Sequence, residues 1–266
     1  MSRLFTFGCS YTRYTWPTWA NIIAYDRNLS LYNFGLEGLG NRGIAIRMFE
    51  ADMKYKFKND DIICILWSSW DREDRFRDNR IDPQGSVFSN DKVYGRKWIK
   101  KYYDDSNKIM KNIYDIYATN KIYKDQISWQ ASGFEYYKND TFFENVTQEM
   151  SIYAKKIIDR YGSVLPKLYY WLDAETENSF EYLDDKHPDI LKHLKLVEEQ
   201  IYPTLGFKID QNKKERLIEM HNLIKNHFKN KKKNSNKEQQ IVKKIINDSF
   251  KDIAMYQELL VNEEIV

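Results

Sequence analysis

Ile62-Ile63-Cys64-Ile65-Leu66-Trp67 is a run of six apolar residues set between Asn59-Asp60-Asp61 and Ser68-Ser69. It is too short for a typical globular helix. It is apolar at both odd and even positions, so it predicts a strand covered on both faces, as strands inside parallel sheets are. Two more strands precede it. Leu4–Phe7 is a short apolar run ending at Gly8, and Leu29–Phe34 reads as a second strand that ends in a turn holding Gly35, Gly38 and Gly40.

Helical patterns fill the gaps between these strands. Trp16, Trp19, Ala20 and Ile23 recur at helical spacing, with Pro17 suited to a first turn. Ile44, Met48, Ala51 and Tyr55 form one stripe, with Asn41 placed to cap that helix. Strand, helix, strand, helix, strand within 70 residues implies right-handed crossovers and an α/β fold built on a parallel sheet. Ligands of such sheets bind beyond the carboxyl ends of the strands. The loops at Ser10, Gly38 and Ser69 should therefore face one region.

The rest of the chain is less regular. Residues 72–165 are charged and aromatic, with helical patches at Trp98–Tyr103 and Met150–Ile158, and read as an insertion bordering the site. Lys167–Leu172 reads as a later strand and 173–186 as a loop. Pro188 opens a helix with Ile190, Leu194, Val197 and Ile201 on one face. His193 falls on the other face, which is expected to be polar. From Lys208 onward the chain is rich in Lys, Asn and Glu. It shows two helical blocks around a linker at Lys229–Lys237. The domain reading is thus 1–205 as the α/β domain and 206–266 as a helical appendage, with His221 and His227 solvated in the appendage.

Composition narrows the function classes. The chain has 266 residues, 42% of them hydrophobic, and a net charge of +3. That length buries a core without staples. The balanced charge argues against a general nucleic-acid binder, and the cluster around Lys229–Lys233 reads as a solvated linker. No apolar stretch approaches the roughly 20 residues needed to span a bilayer, and the first residues carry no long apolar leader segment. Cys9 and Cys64 lie in buried strands without metal-ligand spacing, which suggests free thiols in a reducing, cytoplasmic setting. No metal cluster and no cofactor motif is expected.

Three motifs can carry chemistry. Phe7-Gly8-Cys9-Ser10 places a serine just past the first strand, where its hydroxyl can face a cleft with backbone N–H groups nearby. A serine there is also an ordinary turn or cap residue. Asp184-Asp185-Lys186-His187-Pro188 places a carboxylate three residues before an imidazole. It can accept the Nδ1–H and leave Nε2 to take a serine proton. Such residues also serve as simple helix caps. Asn33-Phe34-Gly35-Leu36-Glu37-Gly38 offers a glycine N–H to an oxyanion, or simply makes a glycine-rich turn.

In this order, the three motifs resemble the SGNH, or GDSL-like, hydrolase family over roughly residues 1–205. The resemblance implies a three-layer flavodoxin-like fold. It implies Ser10 as nucleophile, with Asp184 and His187 as the remaining triad members. Trp16-Pro17 is similar to the family's aromatic-Pro helix opening, and Gly38 to its oxyanion glycine. The third block departs from the family pattern. Where the family carries an Asn after the third strand, this chain has Leu66-Trp67-Ser68-Ser69-Trp70-Asp71. Ser69 aligns with the Asn and can donate through its hydroxyl; the Trp-Ser-Ser form followed by Arg72 resembles divergent phage and environmental members. The implied activity is a serine esterase acting on a small-molecule or O-acylated glycan ester through an acyl-enzyme. Two alternatives stand beside it. One is an acyltransferase using the same triad. The other is a non-catalytic binding protein on the same scaffold, with the appendage as a surface for a protein partner.

Overall fold

In the computed structural model, residues 2–78, 80–88, 93–132, 156–157, 160, 169–170, 187–229 and 236–258 are described. The apolar runs become β1 (Arg3–Phe7), β2 (Ser30–Asn33) and β3 (Ile62–Trp67). With β6 (Ile127–Ser132) and β7 (Tyr169–Tyr170) they form one sheet in the order β2-β1-β3-β6-β7, and every pairing in it is parallel. This is the flavodoxin-like order, whose switch point lies between β1 and β3. Arg3 closes the amino end of the sheet with two bonds to the Asp61 carboxylate, at 2.7 and 2.6 Å.

Helices cover both faces. On one side α2 (Asn41–Tyr55) packs with α4 (Asp105–Tyr123). On the other side α1 (Trp19–Arg27) packs with α5 (Ile190–Leu196), which continues through a π-helical turn (Val197–Ile201) into α6 (Tyr202–Leu205). Aromatic rings fill the space under β1 and β2. Phe5 stacks on Tyr32 at 4.7 Å and Phe7 on Phe34 at 5.0 Å, each pair adding about 0.5–1.5 kcal/mol beyond its area burial.

Three local expectations are corrected. Helix α1 begins at Trp19 rather than near Trp16, because Thr18 caps it: its N–H donates to Asn21 Oδ1 at 3.0 Å. Asn41 does not cap α2. Gly40 is the N-cap, and the orphan N–H groups of Gly40 and Gly43 both donate, at 2.8 Å, to the carboxylate of Asp74 from a distant strand. The 72–165 stretch is more than a helical insertion. It holds a hairpin of β4 (Arg72–Arg77) and β5 (Arg80–Ser86), then α3 (Arg96–Tyr102), and then a core crossover, α4 into β6. Strand β6 escapes a hydrophobic pattern because Ser128 and Gln130 interrupt it. Both are paired: Ser128 Oγ accepts from the Ile63 N–H at 3.1 Å, and Gln130 bonds Trp67 and Asn120. The Met150–Ile158 patch falls almost wholly outside the described residues.

The carboxy-terminal segment joins the same core. Helices α7 (Gln211–Phe228), α8 (Asn236–Ser249) and α9 (Lys251–Glu258) place Leu217, Met220, Ile224, Phe228, Val242, Ile246, Phe250 and Ile253 in one buried cluster with α1 and α5. Polar ties reinforce this packing. Asp26 accepts from Tyr202 Oη at 2.5 Å and from the Asp210 N–H at 2.9 Å. The Lys213 ammonium donates to the carbonyls of Tyr25 and Asp26, both at 2.8 Å. Composition suggested an appendage because Lys, Asn and Glu occupy the outer faces of these helices, while their inner stripe is apolar.

Candidate active site

Ser10 lies in a turn just past β1 and is buried. The Cys9 carbonyl closes the turn by accepting from the N–H groups of Thr12 at 2.9 Å and Arg13 at 3.3 Å. Gly8 is needed here for closeness, not for an unusual φ. A Cβ at that position would lie 2.0 Å from Thr12 Oγ1 and 2.9 Å from the Leu66 carbonyl oxygen. The turn after β2 is laced to the same edge. Phe34 N–H donates to Thr6 O at 2.8 Å, and Leu36 N–H to Gly8 O at 3.1 Å.

His187 is brought against the Ser10 turn from a segment distant in sequence. Its ring stacks on Tyr14, with centroids 3.9 Å apart and planes at 15°, and meets the edge of Tyr11 at 5.6 Å. A buried bond fixes the approach: Trp16 Nε1 donates to the Pro188 carbonyl at 2.8 Å, across 172 residues. Trp16, Tyr14 and Tyr11 thus act as a cradle for the histidine. Nothing in the sequence marked Tyr14 for this role, since stacking between distant segments leaves no local pattern. Asp184 lies outside the described residues.

The histidine end is supported from behind. Asp189 caps α5 by accepting from the Lys192 N–H at 2.8 Å, and its other oxygen lies 3.5 Å from His221 Nδ1. His221 is buried and not solvated; burial lowers its pKa and Asp189 opposes that. His193 is only 1% exposed, which corrects its assignment to a polar face. Helix α7 packs against α5, and the side of α5 that was expected to meet water is buried. Burial, with the nearby His187 adding to it, pushes the His193 pKa down to about 3. His227 is half-buried, with Nε2 3.0 Å from Glu238.

The candidate oxyanion donors lie in different settings. Gly38 has a φ of +76°, a region that favours glycine, and its carbonyl accepts the Gly85 N–H from β5 at 3.2 Å. The Ser69 hydroxyl donates to Asp71 Oδ1, and Ser86 Oγ donates to the other Asp71 oxygen. A hydroxyl has one proton to give, so that of Ser69 is committed to Asp71 in this arrangement. The neighbouring Ser68 is held through its backbone. Its N–H donates to Asn41 Oδ1 at 2.7 Å and its carbonyl accepts from Asn41 Nδ2 at 3.0 Å. Asn41 therefore fixes the β3 loop.

A polar cleft of about 140 Å³ lies between α2, β4 and α4. Its charges are largely paired internally, Arg42 with Asp115 at 2.7 Å and Lys108 with Glu73. Among the described residues, no group of three or more His, Cys, Asp or Glu side chains could hold a metal ion. Both cysteines are free and buried, and burial raises the Cys64 pKa. No described helix is long and apolar enough to cross a membrane.

No family model and no curated protein matches the chain. Among solved structures it is similar to Axe2, an acetylxylan esterase from Geobacillus stearothermophilus. The identity is 14% and the TM-score 0.40, over 79% of this chain and 97% of that one. It is also similar to LAE5, an α/β hydrolase enzyme from the metagenome of Lake Arreo, Spain. There the identity is 13% and the TM-score 0.39, over 77% and 95% of the two chains.

Proposed function

We propose that this chain is a serine hydrolase of the SGNH type that cleaves carboxylic esters through an acyl-enzyme. The observation that carries this reading is the packing of His187 against Tyr11 and Tyr14, which lie in and just after the turn that carries Ser10. A serine in the turn after β1, at the switch point of a parallel sheet, shares its turn with the aromatic cradle that holds a histidine from a segment distant in sequence. In the proposed reaction Ser10 Oγ attacks the ester carbonyl while His187 takes its proton, then returns it to the leaving alcohol. Asp184 would orient the imidazole. Backbone N–H groups of Ser10 and Gly38 would hold the oxyanion. Water then hydrolyses the acyl-enzyme, with His187 as base.

Ser69 sets the strength of this site. If its proton stays with Asp71, one oxyanion donor is missing, which typically costs about 10²–10³ in rate. That bond also favours the second reading, a binding protein on a hydrolase scaffold. A fluorophosphonate probe separates the two. We expect a label on the Ser10 peptide that disappears in Ser10→Ala. We also expect Ser10→Ala to lower turnover of p-nitrophenyl acetate by up to about 10⁶-fold, as triad knockouts do. An unlabelled wild-type protein, with equal rates for wild type and Ser10→Ala, selects the binding reading.

A further inference from the structure

The Ser10 turn carries a cation that the proposed chemistry does not use. Arg13 is three residues from Ser10, half-buried, and held in the turn by its N–H bond to Cys9. Its backbone packs closely against Gly35, in the loop that leads to Gly38. A Cβ at Gly35 would come within 2.8 Å of Arg13 Cβ, so only a glycine at 35 permits this approach. Arg47, on α2, lies near enough to Arg13 for the two charges to repel. Its Nε is buried without a hydrogen-bond partner.

Neither guanidinium has an ion pair or a side-chain hydrogen bond among the described residues. Glu50 is near enough to attract Arg47 but forms no ion pair with it. Burial depresses the pKa of both arginines, and the Arg13 charge depresses that of Arg47 further. A guanidinium cannot shed its proton to escape such a site. Burying two like charges beside one carboxylate is unfavourable unless something else compensates them. A bound oxyanion would, because it accepts from planar guanidinium forks with charge assistance.

From this geometry we infer that Arg13 and Arg47 form a subsite for a carboxylate or phosphate group on the substrate, so that the ester opened at Ser10 is an anionic one. The inference about the ester rests on the proposed hydrolase reading; the anion subsite does not. Two measurements on the full chain separate them. The first is the thermal shift caused by inorganic phosphate at constant ionic strength. Wild type and Ser10→Ala should both be stabilised, while Arg47→Met and Arg13→Met should lose the response and Arg47→Lys should keep part of it. The second compares 4-acetoxybenzoate with its neutral analogue 4-acetoxybenzamide. Wild type should prefer the carboxylate by about tenfold or more in kcat/KM, with most of the preference in KM, and Arg47→Met should bring the ratio close to one. A phosphate response equal in wild type and both Met variants, or absent from all, overturns the subsite. So does an active wild type that treats the two esters alike. If Ser10 resists the fluorophosphonate probe while the phosphate response still depends on Arg47, the hydrolase reading falls and the subsite stands. If Ser10 labels and phosphate has no effect, the reverse holds.

Discussion

His193 makes a quantitative test of how the histidine end of the site is packed. Its ring is 1% exposed, and burial with the neighbouring His187 holds its pKa near 3, against an ordinary value of 6.5. Above pH 6.5 the ring is neutral in both folded and unfolded chains, and its titration contributes nothing to the pH dependence. Below 6.5 the unfolded chain takes up a proton that the folded chain refuses, so stability falls with pH until about pH 3. Between pH 8 and pH 5 this one group removes about 2 kcal/mol, from RT ln(1 + 10^1.5). His221, also lowered by burial, adds loss in the same direction. Urea unfolding of wild type and His193→Gln at pH 8 and pH 5 isolates the effect, because the other titrating groups are common to both proteins. The variant starts less stable but should lose about 2 kcal/mol less on acidification. If both proteins lose the same amount, His193 is protonated freely in the folded state, and the burial of its ring in α5 is wrong.

Two further outcomes follow from the same packing. Gly8→Ala should lower stability by about 1–3 kcal/mol and weaken probe labelling of Ser10, because its methyl group would collide with Thr12 Oγ1 and the Leu66 carbonyl. Adding Thr12→Ala should restore part of the loss in thermal melts, and no recovery would mean that the strain lies elsewhere. Truncation after Gly206 should give a protein that binds a hydrophobic dye and lacks near-UV dichroism, since α7 to α9 cover apolar faces of α1 and α5. A soluble, cooperatively unfolding 1–206 fragment would refute that.

The parts of this fold that could be read in advance were those whose signal is local. β3 is apolar at every position because both its faces are covered, β1 and β2 are short segments that end at glycine-bearing turns, and the Ser10, Gly38 and His187 motifs sit beside recognisable strand ends or helix starts. β6 was hidden because its Ser128 and Gln130 are satisfied by Ile63, Trp67 and Asn120, none of which is adjacent in sequence. The cap of α2 was misassigned for the same reason. Asn41 has the right residue type, but Asp74 arrives from the hairpin with two acceptor oxygens and releases Asn41 to hold Ser68. At the site, the sequence missed the groups that hold the His187 segment, because their partners are distant in the chain.

That omission bears most on His187. Three contacts hold the segment that carries it: the Tyr14 stack, the Trp16 bond to Pro188, and Asp189, which caps α5 and faces His221. The first two come from residues just after Ser10 and bring the histidine segment against that turn. The third comes from α7, beyond the boundary that composition suggests at 206. A catalytic base must be held within a fraction of an ångström of its productive position, because small misplacements cost rate steeply. A carboxylate shared between a helix cap and a buried histidine resists both sliding and rotation of the α5 start, which a cap facing solvent would not. The Lys- and Asn-rich segment therefore packs into the framework that would position the proposed base, through the contact of His221 with Asp189 and the apolar face that α7 adds to the buried cluster.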